Sequence, residues 1–233
     1  MPKPKKAAPE AQNEYGIYCV PEGLEKRPAA KAVLSGQVYE PDTIAFMRAH
    51  AGKGDIIHAG TFFGDFLPAI SAALAPKCKI WAFEPAPENF AAAEQTIAMN
   101  KLKNVTLTQG ALSNQDDTLL FKTHKSNGQA LGGVSRIVDT DGDGVQKVQA
   151  LMLDYAVPRD RDISILQLDV EGHEKKALLG AFHIIHRCRP ILVLEYMDDA
   201  RWLSRTFRGL NYKSVGTVHG NYVYAPPDRD VKL

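Results

Sequence analysis

Residues 54–85 read GDIIHAGTFFGDFLPAISAALAPKCKIWAFEP. The apolar pair Ile56–Ile57 runs into a turn holding Gly60 and Gly64, after which Leu67, Ile70 and Leu74 recur at helical spacing. A second apolar run, Ile80 to Phe83, ends on Glu84. The pattern predicts a strand, a glycine turn, a helix and a strand with a terminal carboxylate, the unit from which open α/β sheets build adenosine sites. Glycine lets the chain turn sharply and lets a ligand approach the backbone. The helix is expected to aim its free N–H groups and positive end into the same crevice. Glu84, 24 residues beyond Gly60, is placed to accept from both hydroxyls of a ribose.

The loop separates two cofactor classes. A dinucleotide calls for G-x-G-x-x-G to seat its pyrophosphate, and here His58 stands at the first of those glycines, in His58-Ala59-Gly60-Thr61-Phe62-Phe63-Gly64. An NAD-dependent oxidoreductase is therefore disfavoured. S-adenosylmethionine carries no phosphate, and its methionine tail can lie over the looser turn, with His58, Thr61 and Phe62 around it and Glu84-Pro85 opposite.

The 233 residues, 45% of them hydrophobic, suffice for one α/β domain with a small extension. Net charge is +1, from 28 basic and 27 acidic residues, so no nucleic-acid-binding field is implied. Cys19, Cys78 and Cys188 are widely spaced and odd in number, which argues against a disulfide framework and for a reducing cytoplasm. Neither a signal peptide nor an apolar run of membrane-spanning length is expected. The reading divides the chain into a flexible basic tail (1–14), an N-terminal lead and helix (15–52) and a cofactor-binding domain (53–233).

Pro41, followed by Asp42, predicts a helix with Ile44 and Met47 inward. A second helix is expected over 87–100, with Phe90, Ala93 and Ile97 on its core stripe, then a strand over 105–108. Gly110-Ala111-Leu112-Ser113 then falls beside an adenine position. Strands at 119–121 and 145–153 break the alternating rhythm and predict an antiparallel insertion. Its Asp139-Thr140-Asp141-Gly142-Asp143-Gly144 imitates a calcium loop, but the twelfth position is Ala150 rather than Glu, so a plain turn is the better reading.

The run Ile163 to Leu168 ends in Asp169 and Glu171, carboxylates that should point into the crevice. Leu178, Ala181, Phe182 and Ile185 predict one helix after them, with Glu174 as a cap. His173-Glu174 begins a zinc H-E-x-x-H pattern, but Ala177 replaces the second histidine. The chain should close with a strand at 191–194, a helix at 199–208 and a strand pair at 210–212 and 219–224, where His219 is a candidate base.

The segments GDIIHAGTFFGD, WAFEPAPENF, GALSN, LDVEGHEKKALLGA and RPILVLEY together resemble the FkbM family of S-adenosylmethionine-dependent methyltransferases over residues 39–224. The resemblance implies a seven-stranded, mostly parallel class I (Rossmann-like) fold with helices on both faces, and methylation of a hydroxyl on a small molecule or glycan. Matched residue by residue, it implies that Gly60 and Gly64 hold the methionine end, Glu84 the ribose and Ala111–Leu112 the adenine. Asp169 then lies near the sulfonium and Glu171 beside the acceptor. Two positions depart from the family's pattern: His58 replaces a common acid and Gln167 a frequent lysine.

The expected chemistry is in-line displacement at the methyl carbon, with alignment as the main contribution and Asp169, Glu171 or His219 as base. A divalent cation on the acids is a possible alternative aid. Amino-methylating nucleic-acid enzymes would carry an N-P-P-Y-like segment where this chain has Leu168-Asp169-Val170-Glu171, and no cysteine follows a proline as a cytosine C5 enzyme requires. A binding module that keeps the nucleoside site without catalysis is the non-enzyme alternative.

Overall fold

A computed structural model describes residues 10–233. The basic tail expected over 1–14 lies outside these residues up to position 9. Glu10–Gln12 (β1) is instead a strand, paired antiparallel with Ile17–Cys19 (β2). The lead continues as helix α1 (Pro28–Leu34) and reaches α2 (Pro41–His50), which opens on Pro41 and buries Ile44 and Met47 as expected. Then follow β3 (Asp55–Ala59), α3 (Leu67–Ser71), β4 (Ile80–Glu84), α4 (Pro87–Met99) and β5 (Val105–Gln109). An inserted sheet is built from β6 (Ala111–Leu112), β7 (Thr118–Lys122), β8 (Arg136–Val138) and β9 (Val145–Leu151). After α5 (Leu153–Ala156) come β10 (Ile163–Leu168), α6 (Glu174–Leu179), α7 (Phe182–Cys188), β11 (Ile191–Leu194), α8 (Ala200–Thr206), β12 (Lys213–Val218) and β13 (Asn221–Ala225).

Seven strands form the main sheet in the order β12-β13-β11-β10-β3-β4-β5, with only β13 antiparallel to its neighbours. Every residue of β3, β4, β10 and β11 is buried, as expected of parallel strands covered on both faces. Alternation divides them: Ile57, Leu166 and Leu192 pack toward α6 and α7, while Ile56, Ile165 and Val193 pack toward α2 and α3. Chain order runs outward from β3 to β5 and then resumes at β10 on the other side. The crevice at the carboxyl ends of β3 and β10 is therefore the switch point where such sheets bind ligands.

Four expectations change. The helix after the glycine turn spans only Leu67–Ser71, because the chain then tightens into 3₁₀-type bonds, Ala73 N on Ile70 O (3.1 Å) and Leu74 N on Ser71 O (3.4 Å). It begins beyond Gly64, so the glycine turn does not run directly into a helix end. The buried stripe of α4 is Asn89, Ala92, Ala93 and Thr96, one position off the expected one, because the lead packs on this helix: Thr96 Oγ1 accepts from Cys19 N (3.1 Å) and Asn100 Oδ1 from Ile17 N (3.0 Å). The helix after β10 breaks at Gly180–Ala181, where Asp154 N donates to the Gly180 carbonyl oxygen (2.9 Å), and Phe182 turns outward. The final hairpin pairs Lys213–Val218, not 210–212, with β13, because His219-Gly220 forms its two-residue turn (φ 46° and 87°).

Candidate functional site

Backbone bonds extend the ladder past the strand ends and bring four loops into one row: Gly60 N donates to Phe83 O (3.1 Å), Asp169 N to Ala59 O (3.1 Å), Glu195 N to Leu168 O (2.9 Å) and Gly110 N to Glu84 O (3.2 Å). Above this row lies a solvent-open cavity of about 190 Å³. Its far side is formed by the lead, through Arg27 to Ala29 and Tyr39, and by the insertion, through Phe121, Val134 and Ile137.

Gly60 (φ 79°) forms the floor, and a side chain there would overlap the Asp169 carbonyl oxygen. Phe62 (φ 53°) also lines the cavity and donates its N–H to Glu84 Oε2 (2.8 Å). Thr61 and Gly64 lie behind this surface: Thr61 Oγ1 donates to His58 O (3.1 Å), and Gly64 closes the turn with its N–H on Thr61 O (2.8 Å). Glu84 is 4% exposed, and its Oε1 accepts from Ala86 N (2.9 Å) and Asn89 Nδ2 (3.3 Å). Three donors already aim at it, so about one lone-pair position on Oε2 remains for a ligand rather than two. Burial pushes its carboxyl up to about 7, against those three hydrogen bonds. Pro85, Ala111 and Leu112 line the same end of the cavity.

At the other end, Asp169, Glu171 and Glu195 each offer a carboxylate oxygen within 4.8 Å of the others. Burial raises Asp169 well above the ordinary range, and the neighbouring Glu195 adds to the shift. Glu171 (φ 53°) is pushed up to about 7 by burial, then by the charges of Glu195 and Glu174. Asp65, also in the wall, rises to about 7 for the same first reason. Glu195, Asp65 and Tyr39 were not among the residues singled out in the sequence. Glu195 had a legible signal, since it ends the strand beside the one that ends at Asp169. His219 is not brought in: it is exposed in the β12–β13 turn, its ring 6.3 Å from that of Tyr39.

The two departures from the family pattern meet. His58 and Gln167 are register partners on β3 and β10, with Nδ1 2.5 Å from Oε1, and both line the cavity. The Asp139–Gly144 turn is exposed and stands apart from the carboxylate trio, the one group of potential metal ligands among the described residues. All three cysteines are buried. No helix among the described residues is long and apolar enough to cross a membrane.

This sheet order, with a crevice at its switch point, defines a class I, Rossmann-like methyltransferase fold. The profile of the methyltransferase FkbM domain matches residues 50–212, and the chain belongs to that family of S-adenosylmethionine-dependent enzymes. The structure is similar to that of methyltransferase FkbM from Methylobacillus flagellatus KT, with a TM-score of 0.52 and 14% identity over 74% of this chain and 43% of that one. It also matches a methyltransferase from Geobacter sulfurreducens (TM-score 0.47, 14% identity, 84% and 83% covered). A third match is M. jannaschii TYW2 in complex with AdoMet (0.49, 12%, 94% and 84%). The chain spans less than half of the M. flagellatus protein. No curated protein matches the sequence.

The cavity residues fit the family's cofactor. Gly60 leaves a cradle that any side chain would fill, Glu84 retains an acceptor position, and His58 Nε2 is buried without a partner.

Proposed function

We propose that this chain methylates a hydroxyl group of a sugar, a glycan or a small natural product. The observation that carries the reading is the meeting, in one cavity, of the Gly60 floor, the buried Glu84 and the Asp169–Glu171–Glu195 trio. S-adenosylmethionine supplies, when bound, a methyl group already activated on a sulfonium. The protein's task is then alignment and proton removal. Gly60 and Glu84 orient the two ends of the cofactor, and Ala111 and Leu112 flank its base. Glu171 takes the acceptor's hydroxyl proton, with Asp169 beside the sulfonium and Glu195 raising the basicity of both.

Charge favours a neutral polyol over nucleic acid as the acceptor. Glu40, Asp65, Glu84, Asp169, Glu171 and Glu195 line the cavity, and the one Lys or Arg among the lining residues is Arg27, whose Nη2 donates to Ala130 O (2.9 Å). A phosphate-rich chain would meet like charge there. The trio also has the oxygen chemistry of a divalent-cation site. EDTA-treated and Mg²⁺-supplemented enzyme would separate that reading from a plain carboxylate base.

The test is calorimetric titration with S-adenosylmethionine and S-adenosylhomocysteine, with NAD as comparator and Glu84→Ala as control, followed by methyl transfer to hydroxylated acceptors and to RNA. Binding of the first two ligands, weakened in the variant, with transfer to a hydroxyl acceptor, is expected. Cofactor binding without turnover on any acceptor would favour a binding module. Binding of NAD alone would overturn the proposal.

A further inference from the structure

We propose that the bare Nε2 of His58 accepts a hydrogen bond from the α-ammonium of the cofactor's methionine moiety, with Gln167 holding the imidazole in the tautomer that makes this possible. The inference rests on S-adenosylmethionine being the ligand. It assigns one atom of this chain to one group of that ligand.

An amide oxygen can only accept, so Gln167 Oε1, 2.5 Å from Nδ1, requires the hydrogen on Nδ1 and leaves a free lone pair on Nε2. The ring cannot readily turn away. It is 3% exposed and stacked on Phe66 at 5.4 Å with the planes 8° apart. Nε2 has no hydrogen-bond partner, although buried polar atoms are nearly always paired. Burial holds the imidazole near a pKa of about 4, so it is neutral at physiological pH.

No side chain of the cavity wall bonds to Nε2, and Arg27, the one cation of that wall, already serves Ala130. Of the cofactor's own donors, the ribose hydroxyls belong with Glu84 and the adenine amine with Ala111 and Leu112, at the other end. The methionine ammonium remains, above the Gly60 floor that follows His58 in the chain. The facing departures, His58 for an acid and Gln167 for a lysine, then form one neutral pair that keeps an acceptor in the crevice.

The experiment compares S-adenosylhomocysteine with 5′-methylthioadenosine, which lacks the amino-acid tail, in calorimetric titrations of the full chain. One hydrogen bond from a charged donor corresponds to roughly ten-fold in affinity, about 1.4 kcal/mol, or more. His58→Phe is expected to weaken S-adenosylhomocysteine by at least that factor and to leave methylthioadenosine unchanged. His58→Asp paired with Gln167→Lys should recover the loss that either single change causes. Because His58→Phe leaves Gln167 unpaired and can harm folding, the wild-type Nε2 ¹⁵N resonance provides a second readout. It should move from a free to a hydrogen-bonded imine with S-adenosylhomocysteine and stay put with methylthioadenosine. Equal loss of both ligands in a folded variant, or an unmoved resonance in the saturated complex, overturns the proposal. If the wild type binds neither ligand, the cofactor reading itself fails.

Discussion

Gly60→Ala is the sharpest test of how the cavity floor is built. The backbone there sits at φ 79°, a left-handed conformation that costs an L-residue about 1–2 kcal/mol. The added methyl also lands on the Asp169 carbonyl oxygen, which is backbone and fixed by Asp169 N on Ala59 O (3.1 Å). The ends of β3 and β10 must part until the pair regains an ordinary contact, and forcing such room in a packed interior costs about 1–3 kcal/mol. The two terms give about 2–5 kcal/mol. At roughly 2–4 °C per kcal/mol for a chain of this size, the melting temperature should fall by about 4–20 °C. The assay is a thermal melt with and without S-adenosylhomocysteine. Saturating ligand at about 100 times its Kd raises wild-type stability by ~2.7 kcal/mol, and the variant should lose that increment. A variant melting within 2 °C (about 1 kcal/mol) of wild type, with the ligand shift intact, would refute the geometry. A lowered melt with the shift retained would keep the packing argument and reject the floor as a cofactor surface.

Three further outcomes are expected. Arg161→Ala removes Nε and Nη2 (2.7 and 2.6 Å) from the buried Asp55, which keeps Trp81 Nε1 (2.7 Å) and Lys79 N (2.8 Å). Urea unfolding should show a loss of about 3 kcal/mol with ligand affinity unchanged, because Asp55 lies at the opposite end of β3 from the cavity, and a loss below ~1 kcal/mol would show that the pair is merely a surface contact. With Glu171 as a base titrating at about 7, kcat/KM should rise with pH through neutrality and then level off. Glu195→Gln, by removing a negative neighbour, should move that rise to lower pH, and a flat profile from about pH 6 to 8 would reject a carboxylate base. Because Glu171 holds its proton more tightly folded than unfolded, its contribution to stability is present below about pH 4.5 and is lost as pH climbs toward 7. His58 and His173, both lowered to about 4, work in the opposite direction, so the informative measurement is the wild-type minus Glu171→Gln difference, which should fall with rising pH.

The sheet was legible because its strands are short apolar runs with charged or glycine ends. Ile56–Ile57, Ile80–Phe83, Ile163–Leu168 and Ile191–Leu194 all lie inside strands, and Glu84 and Asp169 lie at strand ends. Helix faces were less legible because periodicity does not say what covers them. The stripe of α4 moves by one position since β2 packs on it, and Phe182 turns outward since Gly180 breaks the helix. The meeting of His58 with Gln167, and of Asp169 with Glu195, depends on parallel register between strands far apart in sequence. No local pattern encodes that register. The chain order of a doubly wound sheet makes β3, β10 and β11 neighbours, and that alone would have placed Glu195 beside Asp169.

Three non-glycine residues that line the cavity, Glu40, Phe62 and Glu171, have left-handed backbones (φ 45°, 53° and 53°). Each conformation costs on the order of 1–3 kcal/mol unless its surroundings hold it. For Phe62 the support is visible: Tyr18, Val20, Leu24, Ala30 and Val33 of the lead form a core with Phe62 and Phe63. That cover keeps the Phe62 N–H on Glu84, and Glu40 is tied to Asn221 (2.9 Å) and Thr43 (2.9 Å) on the opposite side. The lead is thus part of the site although only Arg27 to Ala29, Tyr39 and Glu40 of it reach the cavity. A change at Tyr18 or Val20 should therefore act on cofactor affinity through Phe62, without touching the ligand.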